Sequence, residues 1–142
     1  MNSESCIFLA GASRGVGREI ANCLSGGEVK VRALLRSPAS GPELERMGIE
    51  IVMGDALDLA AVEQAVADGP AISAMISTIG GLPKDGQRAD YLGNRNLIDA
   101  AVKAGVGKFI LISSIGSGKS AVALPPQAME TLKSVLIEKE KA

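Results

Sequence analysis

A glycine-rich turn between an apolar run and a helix-compatible segment constrains this chain more than any other feature. Ile7-Phe8-Leu9-Ala10 leads into Gly11-Ala12-Ser13-Arg14-Gly15-Val16-Gly17, and Arg18-Glu19-Ile20-Ala21-Asn22-Cys23-Leu24 continues with helical character. A strand, a tight turn and a helix start, in that order, form a phosphate-binding corner. Glycine lets the backbone approach an anion with no Cβ in the way, and the free N–H groups of the helix start face it. Ala12 and Val16 carry no charge, so backbone dipoles would hold the anion, with Arg14 as an added cation. Gly11, Ser13, Arg14, Gly15, Val16 and Gly17 are therefore the first candidate binding residues. The spacing is G-x-x-x-G-x-G rather than the dinucleotide fingerprint G-x-G-x-x-G. With 17 glycines in 142 residues, such a cluster also suits an ordinary strand-to-helix turn. The rest of the chain decides between the two.

A length of 142 residues allows one domain with a hydrophobic core. With two Phe, one Tyr and no Trp, that core must be built from Ala, Val, Ile and Leu, which suits a sheet covered by helices. Fifteen basic and sixteen acidic residues are spread along the chain with no basic block, which argues against nucleic-acid binding. There is no histidine and no C-x-x-C pair, so no zinc site is expected. Cys6 and Cys23 read as buried small apolar residues of a reducing compartment. The first residues show no signal-peptide pattern, and no apolar run approaches the roughly 20 residues of a membrane span. The expected location is the cytoplasm or another reducing, soluble compartment.

Apolar runs alternate with helix-like stretches along the chain. Strands are expected at 29–35, 49–53, 71–77 and 108–113 after the first, with helices at 42–47, 57–67, 90–104 and 127–141 between and beyond them. Asp58 is the expected cap of the helix ending at Ala67, and Gly105 the stop of the one ending at Ala104. Five strands alternating with helices imply β-α-β units: an α/β, doubly wound, Rossmann-like parallel sheet with right-handed crossovers. Ligands of such sheets sit beyond the strand C-termini, where the strand order reverses.

The chemistry at those strand ends converges. Beyond the second strand, an NAD site offers a carboxylate for the ribose 2′-OH. Here the residue is Arg36, followed by Ser37. A guanidinium grips a 2′-phosphate that a carboxylate would repel, so Arg36 and Arg14 favour NADP(H) over NAD. The third strand is followed by Gly54-Asp55-Ala56-Leu57-Asp58, the fourth by Thr78-Ile79-Gly80-Gly81, and the fifth by Ser113-Ser114-Ile115-Gly116.

Together with Asp90-Tyr91-Leu92-Gly93-Asn94, these residues give a chain that, over 5–142, resembles the atypical short-chain dehydrogenase/reductases, including the isomerase-like and flavin- or biliverdin-reductase-like members. The resemblance implies that Asp55 bonds the adenine amino group and Ala56 packs on the ring. It implies that Ile79-Gly80-Gly81 runs beside the ribose and phosphates near the nicotinamide, with Thr78 also at the cofactor, that Asn94 lies inside the central helix, and that Ser114, ahead of Ser113, sits by the nicotinamide. The larger family pairs a Tyr with a Lys four residues on, after the serine. The only tyrosine, Tyr91, precedes the serine; the best match is Met129-Glu130-Thr131-Leu132-Lys133, with Met in place of Tyr. Ser114 and Lys133 are thus the expected catalytic residues, without the usual proton donor. Gly116-Ser117-Gly118-Lys119-Ser120 looks like the end of a P-loop, but position 113 is serine where that motif needs glycine; a solvated loop near the active site is expected instead.

Members of the family are usually longer. Residues 1–142 are accordingly expected to form an NAD(P)-binding domain that is the C-terminally truncated portion of a longer one. The fifth strand would then be an open edge suited to pairing with a second copy. The expected function is an NADP(H)-dependent oxidoreductase transferring hydride to an unidentified small organic acceptor, such as a flavin or tetrapyrrole protonated by solvent. The alternative is a catalytically silent NADP(H) sensor or scaffold. A sugar-nucleotide epimerase fits less well, since those relatives keep the tyrosine.

Overall fold

A computed structural model describes residues 5–80 and 89–113, together with 119, 122 and 125–127. The strands are β1 (Cys6–Ala10), β2 (Lys30–Leu35), β3 (Glu50–Met53), β4 (Ile72–Ser77) and β5 (Lys108–Leu111). The helices are α1 (Gly15–Leu24), α2 (Gly41–Arg46), α3 (Leu59–Ala67) and α4 (Ala89–Ala104), with a 3₁₀ turn at Pro38–Ser40. Asp58 caps α3 as expected, its carboxylate accepting from Ala61 N at 3.3 Å. The expected helix at 127–141 and the loop at 116–120 lie almost wholly outside the described residues.

All neighbouring strands pair in parallel, in the order β3-β2-β1-β4-β5. The chain steps outward from β1 to β3, then crosses back to β4 on the other side of β1. The strand order therefore reverses between the C-terminal ends of β1 and β4, where Ala10 is in register with both Leu34 and Ser77. β5 closes one side of the described sheet, as an edge.

Each face of the sheet buries its own apolar layer. Leu9, Val31, Ala33 and Leu35 pack with Ala21, Leu44 and Ile49 on one side; Phe8, Ala10, Leu34 and Met75 pack with Val62, Val66, Leu97 and Ala101 on the other. Aromatic content is low because helices lie against both faces at close range, where small branched chains fill the layers.

Two residues depart from the sequence expectation. Cys23 is exposed, not buried. Gly17, Ile20, Ala21 and Leu24 make the inward stripe of α1 at helical spacing, and Cys23 falls off it. Cys6 is buried, and that burial pushes its thiol pKa up. Arg32 alternates with Val31 and Ala33 along β2, yet this charged residue is fully buried. Its guanidinium donates to the carbonyls of Ala65 at 3.2 Å, Val66 at 3.1 Å and Pro70 at 3.2 Å, with Glu50 at 3.6 Å from Nε. These carbonyls end α3 and begin the turn beyond it, so Arg32 supplies a cation and donors where the helix has neither.

Candidate nucleotide-binding site

The site is built at the switch point. Gly11, with φ of 97°, turns the chain out of β1 in a backbone conformation that disfavours a Cβ. Gly17 is buried against it: a Cβ there would overlap the Gly11 carbonyl oxygen and lie 2.6 Å from Thr78 Oγ1. Thr78 locks the same corner from β4. Its N–H donates to the Ala10 carbonyl at 3.0 Å, and its hydroxyl lies 3.3 Å from Ala10 O and 3.2 Å from Gly11 O.

The start of α1 is left open to an anion. Its N-cap, Arg14, is extended and makes no side-chain cap, and no acidic residue occupies the first turn. Ser13, Arg14, Gly15 and Val16 are exposed, and nothing lies within 4 Å of a Cβ built on Gly15. The uncapped N–H groups and the positive end of the helix dipole are thus exposed, the chemistry that receives an anion.

Next to it, one strand over, β2 ends at Leu35 and Arg36 follows, exposed. Among the described residues, the guanidinium groups of Arg14 and Arg36 make no ion pair or hydrogen bond. Ser37 caps the 3₁₀ turn by accepting from Ala39 N at 3.4 Å. Arg18 is paired: it donates to the Ser13 carbonyl at 3.5 Å and forms an ion pair with Glu43, tying the glycine turn to α2.

That hydrogen-bonded pairing with Arg18 holds the Glu43 carboxyl below the usual carboxylate range. A lowered folded-state pKa stabilises the protein above the ordinary Glu value and ceases to do so as the pH falls through the lowered one. With a mostly exposed carboxylate the effect is small. The denaturation midpoints of wild type and Arg18→Met should therefore differ slightly at neutral pH and converge in acid; a gap that widens in acid would contradict the pairing.

Beyond β3, Gly54 N donates to Leu35 O at 2.9 Å, and Asp55 Oδ1 accepts from Leu57 N at 3.0 Å. The second Asp55 oxygen has no partner among the described residues. Ala56 is buried in the core layer, and its carbonyl accepts from Asn96 Nδ2 at 2.8 Å.

Beyond β4, the buried Ser77 hydroxyl is hydrogen-bonded to the Asn94 carboxamide oxygen. Ile79 N donates to Ser77 Oγ at 3.3 Å, and Asn94 Nδ2 donates to Ile79 O at 3.5 Å. Asn94 thus fixes the Ile79-Gly80 segment from inside α4, and Gly80 is exposed at its end. Ile112 N donates to Ser77 O at 2.9 Å, which carries the chain to an exposed Ser113 beside that segment.

The structure therefore gathers Gly11–Gly17, Arg36, Asp55, Ala56, Thr78–Gly80 and Ser113 at one end of the sheet. Ser114 and Lys133 lie outside the described residues. Asn96 and Arg18 are contacts that the sequence alone did not reveal. No group of three metal-ligating side chains occurs among the described residues, and no helix there is long and apolar enough to cross a membrane.

Residues 11–142 match the family model described as NAD(P)H-binding. The chain belongs to this NAD(P)H-binding family. A nicotinamide dinucleotide is accordingly its cofactor class, and its fold is that of NAD(P)H-dependent oxidoreductases. Among solved structures of this fold, "ChuY: An Anaerobillin Reductase from Escherichia coli O157:H7" is 32% identical with a TM-score of 0.81, over 96% of this chain and 64% of that one. A short-chain dehydrogenase/reductase superfamily protein from Agrobacterium tumefaciens with bound NAD is 26% identical with a TM-score of 0.63, over 78% of this chain and 33% of that one. Protein TIC 62, chloroplastic, from Pisum sativum is 30% identical over 159 residues, which cover 98% of this chain and 29% of that protein. The chain thus spans less than a third of this curated relative and just under two thirds of ChuY. The resemblance to atypical short-chain reductases holds in both family and fold.

Proposed function

We propose that this chain binds NADP(H) and forms the cofactor-holding part of a reductase acting on a flavin- or tetrapyrrole-like acceptor. The observation that carries the NADP(H) reading is Arg36. It is exposed, free of any acidic partner among the described residues, and one strand from the glycine turn by register. A ribose 2′-phosphate held there meets Arg36, with Arg14 approaching from the turn, and no carboxylate to repel it. The diphosphate lies over the uncapped start of α1, Asp55 accepts from the adenine amino group, and Ile79-Gly80 lines the path to the nicotinamide.

When bound, the cofactor supplies hydride from C4 of its nicotinamide ring. The chain's own part is to orient that ring from Ser113 and the Ile79-Gly80 segment, and the family resemblance assigns catalytic roles to Ser114 and Lys133. Met129 stands four residues before Lys133, in the slot where the larger family has its tyrosine. This favours an acceptor that takes its proton from solvent, and likeness to an anaerobillin reductase agrees with a tetrapyrrole.

Incubation with NADPH and a panel of tetrapyrroles, flavins and quinones, followed by loss of NADPH absorbance, tests this. Turnover of at least one acceptor is expected, with Ser114→Ala lowering kcat about 100-fold, as loss of one polar group at a reacting centre does. The missing tyrosine also favours a second reading, a nucleotide sensor without turnover. Tight NADPH binding with no acceptor reduced would select it over the first.

A further inference from the structure

We propose that Asn96 is a positioning residue for adenine recognition: its carboxamide holds the Ala56 carbonyl and so fixes the loop that presents Asp55. The proposal rests on the nucleotide-binding reading above and adds to it a residue that the glycine turn and the strand-end motifs do not contain.

The loop from Gly54 to Asp58 leaves β3 and enters α3. Its own bonds, Leu57 N to Asp55 Oδ1 at 3.0 Å and Asp58 N to Asp55 O at 2.9 Å, shape the loop around Asp55. They do not fix it relative to the sheet. Two bonds do that: Gly54 N to Leu35 O at 2.9 Å on the β2 side, and Asn96 Nδ2 to Ala56 O at 2.8 Å on the α4 side. The latter spans 40 positions of sequence and is the shorter of the two.

The chemistry of the side chain suits this task. A carboxamide donates to a carbonyl without bringing charge, so it leaves the Asp55 carboxylate unpaired and free to accept. One Asp55 oxygen is engaged by the loop and the other has no partner among the described residues. A lysine at position 96 would compete for that oxygen. Asn94 lies two residues earlier, about 200° around the helix, and donates to Ile79 O at 3.5 Å beyond the end of β4. One helix thus sets the adenine end through Asn96 and the nicotinamide end through Asn94.

The test is base discrimination, which a purely structural role would not alter. NADPH is compared with its hypoxanthine analogue, in which a carbonyl replaces the C6 amino group. Wild type should bind NADPH at least tenfold more tightly, as expected for a hydrogen bond to a charged acceptor. Asn96→Ala, and Asn96→Asp, which cannot donate when ionised, should each weaken NADPH about tenfold while leaving the analogue unchanged. In an Asp55→Ala background, Asn96→Ala should cause no further loss, because the two act as one unit.

Equal weakening of both dinucleotides in Asn96→Ala, or an intact preference, would overturn the proposal. So would a wild type that binds both equally, since Asp55 would then not read the base. A wild type that binds neither dinucleotide would instead overturn the cofactor reading on which the proposal rests.

Discussion

Gly17→Ala is expected to cost about 3 kcal/mol of stability, at the upper end for one added methyl in a packed site, and to weaken dinucleotide binding about 100-fold. The new Cβ would overlap the Gly11 carbonyl and sit 2.6 Å from both the Gly11 carbonyl carbon and Thr78 Oγ1. None of these atoms is the free end of a flexible chain. The carbonyl belongs to a positive-φ turn, and the hydroxyl is held against Ala10 O and Gly11 O. The first turn of α1 must therefore retreat, taking its N–H groups with it, and a shift of about 1 Å in a positioned group costs about 100-fold. Gly15→Ala is the control for stability alone: with no nucleotide bound its Cβ meets open space, so only the backbone penalty of φ 60° remains, about 1 kcal/mol. Denaturant unfolding of both variants and nucleotide titration of Gly17→Ala check this. Equal losses of stability in the two would mean that the close crossing of Gly17 over Gly11 does not constrain the site.

Arg32→Met should destabilise the fold by about 3 kcal/mol without changing discrimination between NADPH and NADH. The substitution keeps the aliphatic stem and removes three donors, leaving the carbonyls of Ala65, Val66 and Pro70 without them in a closed layer. Each buried acceptor so stranded costs about 1 kcal/mol or more, and the end of α3 loses a favourable cation. Arg32→Lys should recover only part of the loss, since a single ammonium cannot spread over three carbonyls as a guanidinium fork does. Urea unfolding of the three proteins measures the effect, and a loss below about 1 kcal/mol in Arg32→Met would show that solvent replaces those bonds.

The architecture was legible because its signals are local. Each strand is a short apolar run, each helix has a period or a cap within a few residues of its start, and the glycine turn lies between two such elements. That ligands sit beyond the strand C-termini followed from the alternation of elements, whereas the place where the order reverses, between β1 and β4, is set by the observed pairing. What escaped the sequence depends on contacts across many positions. Arg32 reads as one polar member of an alternating strand until the end of α3, 33 positions on, is seen resting on it. Asn96 reads as a polar helix residue until Ala56 O comes within reach. Cys23 is a different case. The helical period through Gly17, Ile20, Ala21 and Leu24 places position 23 off the inward stripe, and the apolar character of a thiol does not by itself bury it.

The proposed choice of NADP(H) over NAD(H) turns on what the end of β2 recognises. Calorimetric titration of NADPH and NADH into wild type and Arg36→Ala measures it directly. NADPH should bind wild type about tenfold or more tightly than NADH, the worth of a charge-assisted contact to the 2′-phosphate, and Arg36→Ala should abolish that margin while leaving NADH affinity unchanged. Equal affinity for both nucleotides in wild type, unaltered in the variant, would contradict it.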